Sequence, residues 1–218
     1  IKNDRKYQPY LGNKQKSINR KYVSLKKMKI RINRILEKTV CEGPGKRFCI
    51  WVQECNLHCS GCANQELWES NAGREYETSE ILERIKKRSH EIEGITFLGG
   101  EPFLQASAVA EIVGEVKKHG LSVLVFTGYH YETLSEGKDI SVKKILNNTD
   151  VLIDGNFEQR ELDLSRPWVG SGNQRFIFLS DRYQDFAEER NRLEIRIHRD
   201  GRIEMNGMAD IDEIRTWF

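Results

Sequence analysis

Apolar and polar residues alternate along this chain in two rhythms, and the switches between them predict its elements. Residues 29–35 alternate apolar and polar positions, the period of a strand with one buried face, and predict a first, edge strand. The turn Gly43-Pro44-Gly45 then feeds the continuous apolar run 48–52, short and β-rich, which predicts a buried strand. In 78–88 the apolar positions Ile81, Leu82 and Ile85 fall at helical spacing, with Thr78 or Ser79 as N-cap. A strand over 94–98 follows, then a helix over 106–119 with Val109, Ile112, Val113 and Val116 on one face, then a strand over 121–126. Residues 142–146 predict a short helix, and 151–153 and 175–179 two further strands, the second preceded by a Gly-rich loop at 170–172. Near the end, 193–198 and 202–205 flank Arg199-Asp200-Gly201, a hairpin signal because Asp-Gly tolerates positive φ, and 210–218 predicts a closing helix. Strands alternating with helices imply right-handed βαβ units and a parallel sheet. Five or six such units cannot close an eight-stranded barrel. The expected fold is therefore α/β, a partial, open (β/α)6 TIM-like barrel whose functional face is the carboxyl end of its strands.

Composition narrows the class of protein. The 218 residues suffice for one full α/β core, and 38% hydrophobic with 31% charged residues fits a globular chain with a solvated surface. No apolar run approaches the roughly 18 residues that cross a bilayer. The start lacks the order of a secretory signal, so a cytoplasmic location without membrane contact is expected. Charge is uneven: residues 1–27 hold nine Lys or Arg against Asp4 alone, so a local +8 hides inside a net +2 and the remainder is −6. We read 1–27 as a flexible basic leader and 28–218 as the working domain with a hairpin and helix extension. A basic arm can contact nucleic acid, but this one interleaves only Tyr7, Tyr10 and Tyr22, too few for base stacking.

Three of the five cysteines sit in one window, Cys55-Asn-Leu-His-Cys59-Ser-Gly-Cys62, directly after the strand at 48–52. In a chain of this type the pattern argues for metal over disulfides. Thiolates at CxxxCxxC spacing can converge on a [4Fe–4S] cubane, and three ligands for four irons leave one iron free to bind a small molecule. Zinc competes, but it prefers four ligands in two separated pairs, and there is no second CxxC. His58 lies between two of the cysteines, where reaching the same ion is strained. Three unrelated buried thiols is the remaining alternative. Cys49 falls in the buried strand and Cys41 outside the loop, so neither is assigned to a metal.

Other motifs also follow strands. Gly99-Gly100-Glu101-Pro102 offers backbone that can approach a ligand closely and a carboxylate that accepts from an ammonium group. Thr127-Gly128-Tyr129 ends the next strand. The carboxylate of Asp154, in Asp154-Gly155-Asn156-Phe157, suits ribose hydroxyls, though Asp-Gly is commonly just a turn, and Arg175 suits a substrate carboxylate, though a lone Arg is more often a surface ion pair.

CxxxCxxC after one strand and GGEP after the next resembles the radical S-adenosylmethionine (SAM) superfamily. Gly43-Pro44-Gly45, Asn64 and Trp68 behind the cysteines, Thr127-Gly128-Tyr129, Asp154-Gly-x-Phe157 and Trp168-x-Gly-Ser-x-Asn-Gln174 resemble, more narrowly, the activating proteins of anaerobic ribonucleotide reductases, over about 28–179. Cys62 departs from many superfamily members in being flanked by Gly61 and Ala63, with no aromatic. The resemblance implies a barrel of radical SAM type and two cofactors, a [4Fe–4S] cluster on Cys55, Cys59 and Cys62 and SAM on its open iron. Gly99, Gly100 and Glu101 would hold the SAM amino group, backbone around Gly61, Cys62 and Ala63 would face the adenine, and Thr127 and Asp154 would contact ribose or methionine. It further implies a flavodoxin- or ferredoxin-like electron donor and a 5′-deoxyadenosyl radical that makes a glycyl radical on a partner enzyme. The same chemistry on a ribosomal peptide or small metabolite is the nearest alternative, and a non-enzymatic zinc or Fe–S module binding nucleic acid the most distant.

Overall fold

The structure, a computed structural model, describes residues 28–184 and 191–208. The expected leader at 1–27 and closing helix at 210–218 lie outside the described residues. Strand β1 (Lys29–Thr39) is followed by β2 (Arg47–Val52), β3 (Arg74–Glu77), α1 (Thr78–Arg88), β4 (Gly94–Gly99), α2 (Ala106–Lys118) and β5 (Ser122–Phe126). Next come α3 (Tyr131–Glu136), α4 (Ile140–Asn148), β6 (Val151–Asp154), β7 (Arg175–Phe178), β8 (Leu193–Ile197) and β9 (Ile203–Gly207). Among the described residues no helix is long and apolar enough to cross a membrane.

Seven strands form one mixed sheet in the order β3-β1-β2-β4-β5-β6-β7. β2, β4, β5 and β6 run parallel, while β1, β3 and β7 pair antiparallel at the flanks. The expected α/β architecture holds, but five or six parallel units reduce to four parallel strands. β7 was expected to continue the parallel run. Between β6 and β7 the described chain forms only a 3-10 turn, Gln159–Glu161, and without a crossover helix a strand returns antiparallel. β3, with Tyr76 as its only apolar residue, and the short α3 carry too little periodicity to be read from sequence. At α1 the N-cap is Glu77, not Thr78 or Ser79. Thr78 is the first helical residue, and its hydroxyl is turned to the Met28 carbonyl and to Glu111.

The parallel strands are added in one direction, so each right-handed crossover lands on the same face. Phe48, Ile50 and Val52 alternate with Ile95, Phe97, Val123, Val125 and Leu152 to pack that face against Ile81, Ile85, Val109, Ile112, Val113 and Ile145 of the helices. The opposite residues, Cys49, Trp51 and Leu98, pack with Leu67, and Leu124, Val151 and Ile153 with Trp168 and Val169, so loops cover the second face. Burying each such aliphatic chain stabilises the fold by roughly 1.5–3 kcal/mol. The hairpin β8–β9 forms a separate two-stranded sheet. Its polar side chains Glu194 and Asn206 bond Thr39, and Ile195, Ile197, Ile203 and Met205 stay exposed.

Candidate functional site

Parallel strands bring their carboxyl ends to one edge, so the segments after β2, β4, β5 and β6 form a single cluster of loops. The cysteine loop leaves β2 and is pinned at both ends. Cys55 N donates to Trp68 O at 3.4 Å, and the buried Gln53 side chain donates to Glu66 O and Glu69 O at 3.0 and 2.9 Å. Glu54 and His58 take positive φ, 79° and 46°, which lets the chain fold tightly between the cysteines.

All three cysteines are free and half-buried. Cys62 Sγ accepts from Asn64 N at 3.4 Å. Burial pushes the Cys55 and Cys59 thiols up, opposed at Cys55 by the Leu57 and His58 amides and at Cys59 by that of Phe157.

Spacing separates a cluster from a single ion. Four sulfurs on one zinc would lie about 3.8 Å apart, from Zn–S bonds of about 2.3 Å. Among the described residues the one group of three ligand atoms within 4.8 Å of one another is His130, Glu132 and Asp154, so the cysteines do not close to that distance. The His58 ring stacks on Trp68, with centroids 4.7 Å apart. Three free thiols on one loop are the donor type that Fe–S clusters use. The other two thiols stand apart as expected: Cys49 is fully buried in β2, and Cys41 packs near Gly207.

The segment after β4 is built against the cysteine loop. Gly100 N donates to Val52 O and Glu101 N to Glu54 O, each at 2.8 Å, and a Cβ on Gly100 would stand 2.2 Å from Glu54 O. The absent side chain is thus needed for one backbone to pass another. Glu101 is 1% exposed and turned inward. Its carboxylate accepts from Phe103 N at 3.0 Å, Thr127 Oγ1 at 3.0 Å and Gly128 N at 2.9 Å. Burial outweighs these bonds and pushes its pKa up to about 7. Glu101 and Thr127 are therefore brought together, as a bracket joining the ends of β4 and β5.

Asp154 and Arg175 meet each other instead of open space. Asp154 is fully buried and accepts from Tyr131 N at 2.7 Å and Arg175 Nε at 2.9 Å, and Arg175 also reaches Glu132 at 2.8 Å. The guanidinium that sequence offered to a substrate carboxylate is taken by two protein carboxylates. It also fills the only His–Glu–Asp group just described. Gly61 and Ala63 lie exposed on the outer turn of the cysteine loop.

Sequence reading missed three contacts. Tyr129 Oη donates to Asn56 at 3.0 Å, Leu57 lies where a Gly128 Cβ would come within 2.2 Å, and the Gln159 side chain lies beside Gly61. Together they tie the cysteine loop to the segments after β5 and β6 and leave a cavity of about 540 Å³. Leu57, Cys59, Gly128, Asn156, Phe157 and Gln159 line it. Of these residues Gly61, Gly128 and Tyr129 fall in motifs visible in the chain, but their contacts were not.

Comparison with known proteins agrees with this geometry. A family described as a 4Fe-4S single cluster domain matches residues 41–177. The anaerobic ribonucleoside-triphosphate reductase-activating protein of Vibrio cholerae serotype O1 is 36% identical over 143 residues, covering 62% of this chain and 89% of that protein. Its namesake from Pasteurella multocida is 37% identical over 144 residues, with 62% and 89% covered. The one from Enterobacteria phage T4 is 30% identical over 148 residues, covering 66% and 90%.

Proposed function

Because the chain belongs to the family of anaerobic ribonucleoside-triphosphate reductase-activating proteins, we propose that it is a radical SAM enzyme that installs a glycyl radical on an anaerobic ribonucleotide reductase. Three free, half-buried cysteines at CxxxCxxC spacing on one loop, inside the stretch matched by the 4Fe-4S single cluster domain, are the observation that carries this reading. Cys55, Cys59 and Cys62 would hold a [4Fe–4S] cluster, which supplies the electron that cleaves SAM to a 5′-deoxyadenosyl radical.

The remaining work falls to the chain. The Gly99, Gly100 and Glu101 segment orients the amino group of SAM, with Thr127 fixing the Glu101 carboxylate behind it. Backbone at Gly61, Cys62 and Ala63 faces the adenine. Asp154 and Arg175 act as a pair: they hold the turn after β6 against the cavity, and their bonds to each other and to Tyr131 and Glu132 leave ribose contacts to neighbouring backbone. The cavity beside Cys59 receives SAM and the partner's glycine loop. One-sided helices around a sheet open at β3 and β7 support a partial barrel of radical SAM type, whose gap admits that loop. Residues 28–218 would contain the domain, with 1–27 dispensable, and the protein would work in the cytoplasm with a flavodoxin- or ferredoxin-like donor.

Anaerobic reconstitution followed by reduction with SAM tests the reading. About four irons per chain, 5′-deoxyadenosine formation, and a glycyl-radical EPR doublet on added reductase are expected. A fully loaded protein that leaves SAM intact would sink it.

A further inference from the structure

Gln53 directly follows β2, two residues before Cys55, and is wholly buried. A buried amide has two N–H donors and an acceptor oxygen, and each left unpaired costs free energy. Nε2 donates to Glu66 O at 3.0 Å and to Glu69 O at 2.9 Å, and Oε1 accepts from Asn33 Nδ2 at 2.9 Å. The two carbonyls belong to the far end of the cysteine loop, where the 3-10 turn Gln65–Leu67 stops and leaves its last carbonyls open. One side chain therefore caps that turn from outside and ties the exit of the loop to the strand from which the loop departs. Turned over, its oxygen would face two carbonyl oxygens, so one orientation alone satisfies the site. Trp68 lies between the capped carbonyls, and the rest of the loop leans on it. Its carbonyl accepts from Cys55 N at 3.4 Å, and its ring stacks on His58, which stands between Cys55 and Cys59, with centroids 4.7 Å apart. Gln105 provides the contrast. Its Nε2 donates to Arg31 O and Gln53 O at 2.9 and 3.0 Å and its Oε1 accepts from Arg31 N at 2.7 Å, so the same chemistry there joins backbone at β1 and β2 and none of these bonds reaches the cysteine loop.

We infer that Gln53 is a positioning residue for the iron–sulfur cluster, which closes the cysteine loop in the apo-protein through Trp68 so that iron meets a loop already ordered. The inference rests on the reading of Cys55, Cys59 and Cys62 as cluster ligands. Closing a flexible loop costs entropy, and a bound group that has to close it unaided is held less tightly and leaves sooner.

The test compares wild type, Q53M, N33A and Q105M, first as apo-proteins and then after anaerobic reconstitution. Methionine keeps the bulk of Gln53 and removes both donors. The apo-proteins are digested with a protease that cuts after glutamate, and cleavage after the exposed Glu66 and Glu69 is followed by mass spectrometry. The reconstituted proteins are challenged with an iron chelator, and loss of the brown chromophore is timed. Q53M should be cut in the loop, and should lose its cluster, about tenfold faster than wild type, the worth of two net hydrogen bonds, with cleavage elsewhere unchanged. N33A removes an exposed partner of the same amide and should raise both rates about threefold. Q105M should match wild type in both, whatever it does to the thermal midpoint. If Q53M does not fold, N33A carries the test alone. Wild-type rates in the variant that carries the test, one rate raised without the other, or equal acceleration in Q105M would overturn the inference and leave the proposed function standing. A wild-type chain that assembles no [4Fe–4S] cluster would overturn the function, and this inference with it.

Discussion

Glu101 is a carboxylate that the fold has taken out of water and only partly compensated. Three donors favour its charged form, yet burial dominates and pushes its pKa up to about 7 from 4.5. A raised carboxylate means that the folded state holds the proton more tightly than the unfolded chain. The contribution is fully present below pH 4.5 and is lost as pH rises through 7, amounting to about 3 kcal/mol. Urea titrations of the apo-protein should show stability falling between pH 5 and 7 and levelling above. E101Q should flatten that slope, whatever it does to absolute stability. The cysteines test more sharply. C55A, C59A or C62A should each abolish the brown cluster, with iron falling to near background, whereas C41A and C49A should keep wild-type iron content. The two sets differ in what the chain alone reveals. Spacing makes the three candidate ligands legible, since neighbours in sequence are neighbours in space. Asp154 and Arg175 are 21 residues apart and pair only because β6 and β7 lie side by side, so an ion pair at Arg175 was legible as a type but its partner was not until the sheet was known.

Loops and strands show the same division. Strands and helices with strong periodicity, such as β2, β4, β5, α1 and α2, were legible because burial of one face dictates their pattern. The sense of β7 was not, because it depends on what lies between strands and not on the strand itself. Gly99-Gly100 was read as room for a ligand, and the structure gives that room first to the backbone at Glu54. Gly128 makes the equivalent point for the segment after β5. A methyl there would overlap Leu57 Cδ1 at 2.2 Å, well inside contact, and the cysteine loop is the softer partner. G128A should therefore keep the fold, with an unchanged far-UV spectrum, but displace Leu57 and cut iron loading or SAM affinity several-fold. Wild-type loading and SAM binding in G128A would show that the loop does not depend on this contact.

Taken whole, the molecule separates chemistry from anchoring along its strands. The carboxyl ends hold the cysteines and the cavity, and the amino ends hold Arg47, which is fully buried at the start of β2. Its guanidinium donates to Thr96 Oγ1 at 2.9 Å and Ser122 Oγ at 2.6 Å, and also to the Ile95 carbonyl, so it staples β2 to β4 and β5. Tyr183 closes the network, with its hydroxyl on Ser122 Oγ at 2.8 Å and on Glu93. Burial pulls the Arg47 pKa down, but the charge of Glu93 and the many acceptors oppose that pull. Nothing in the local sequence marks this site, because its acceptors come from four separate segments. Replacing one member of such a buried network strands the others, and R47A should cost about 3–5 kcal/mol. Because Arg47 lies at the end of β2 away from Cys55, the loss should be one of stability and not of chemistry. R47A should unfold at lower urea, while the fraction still folded in the cold takes up iron like wild type. An R47A protein as stable as wild type would show that the staple is ornamental, and a stable one that fails to bind iron would show that the two ends are coupled.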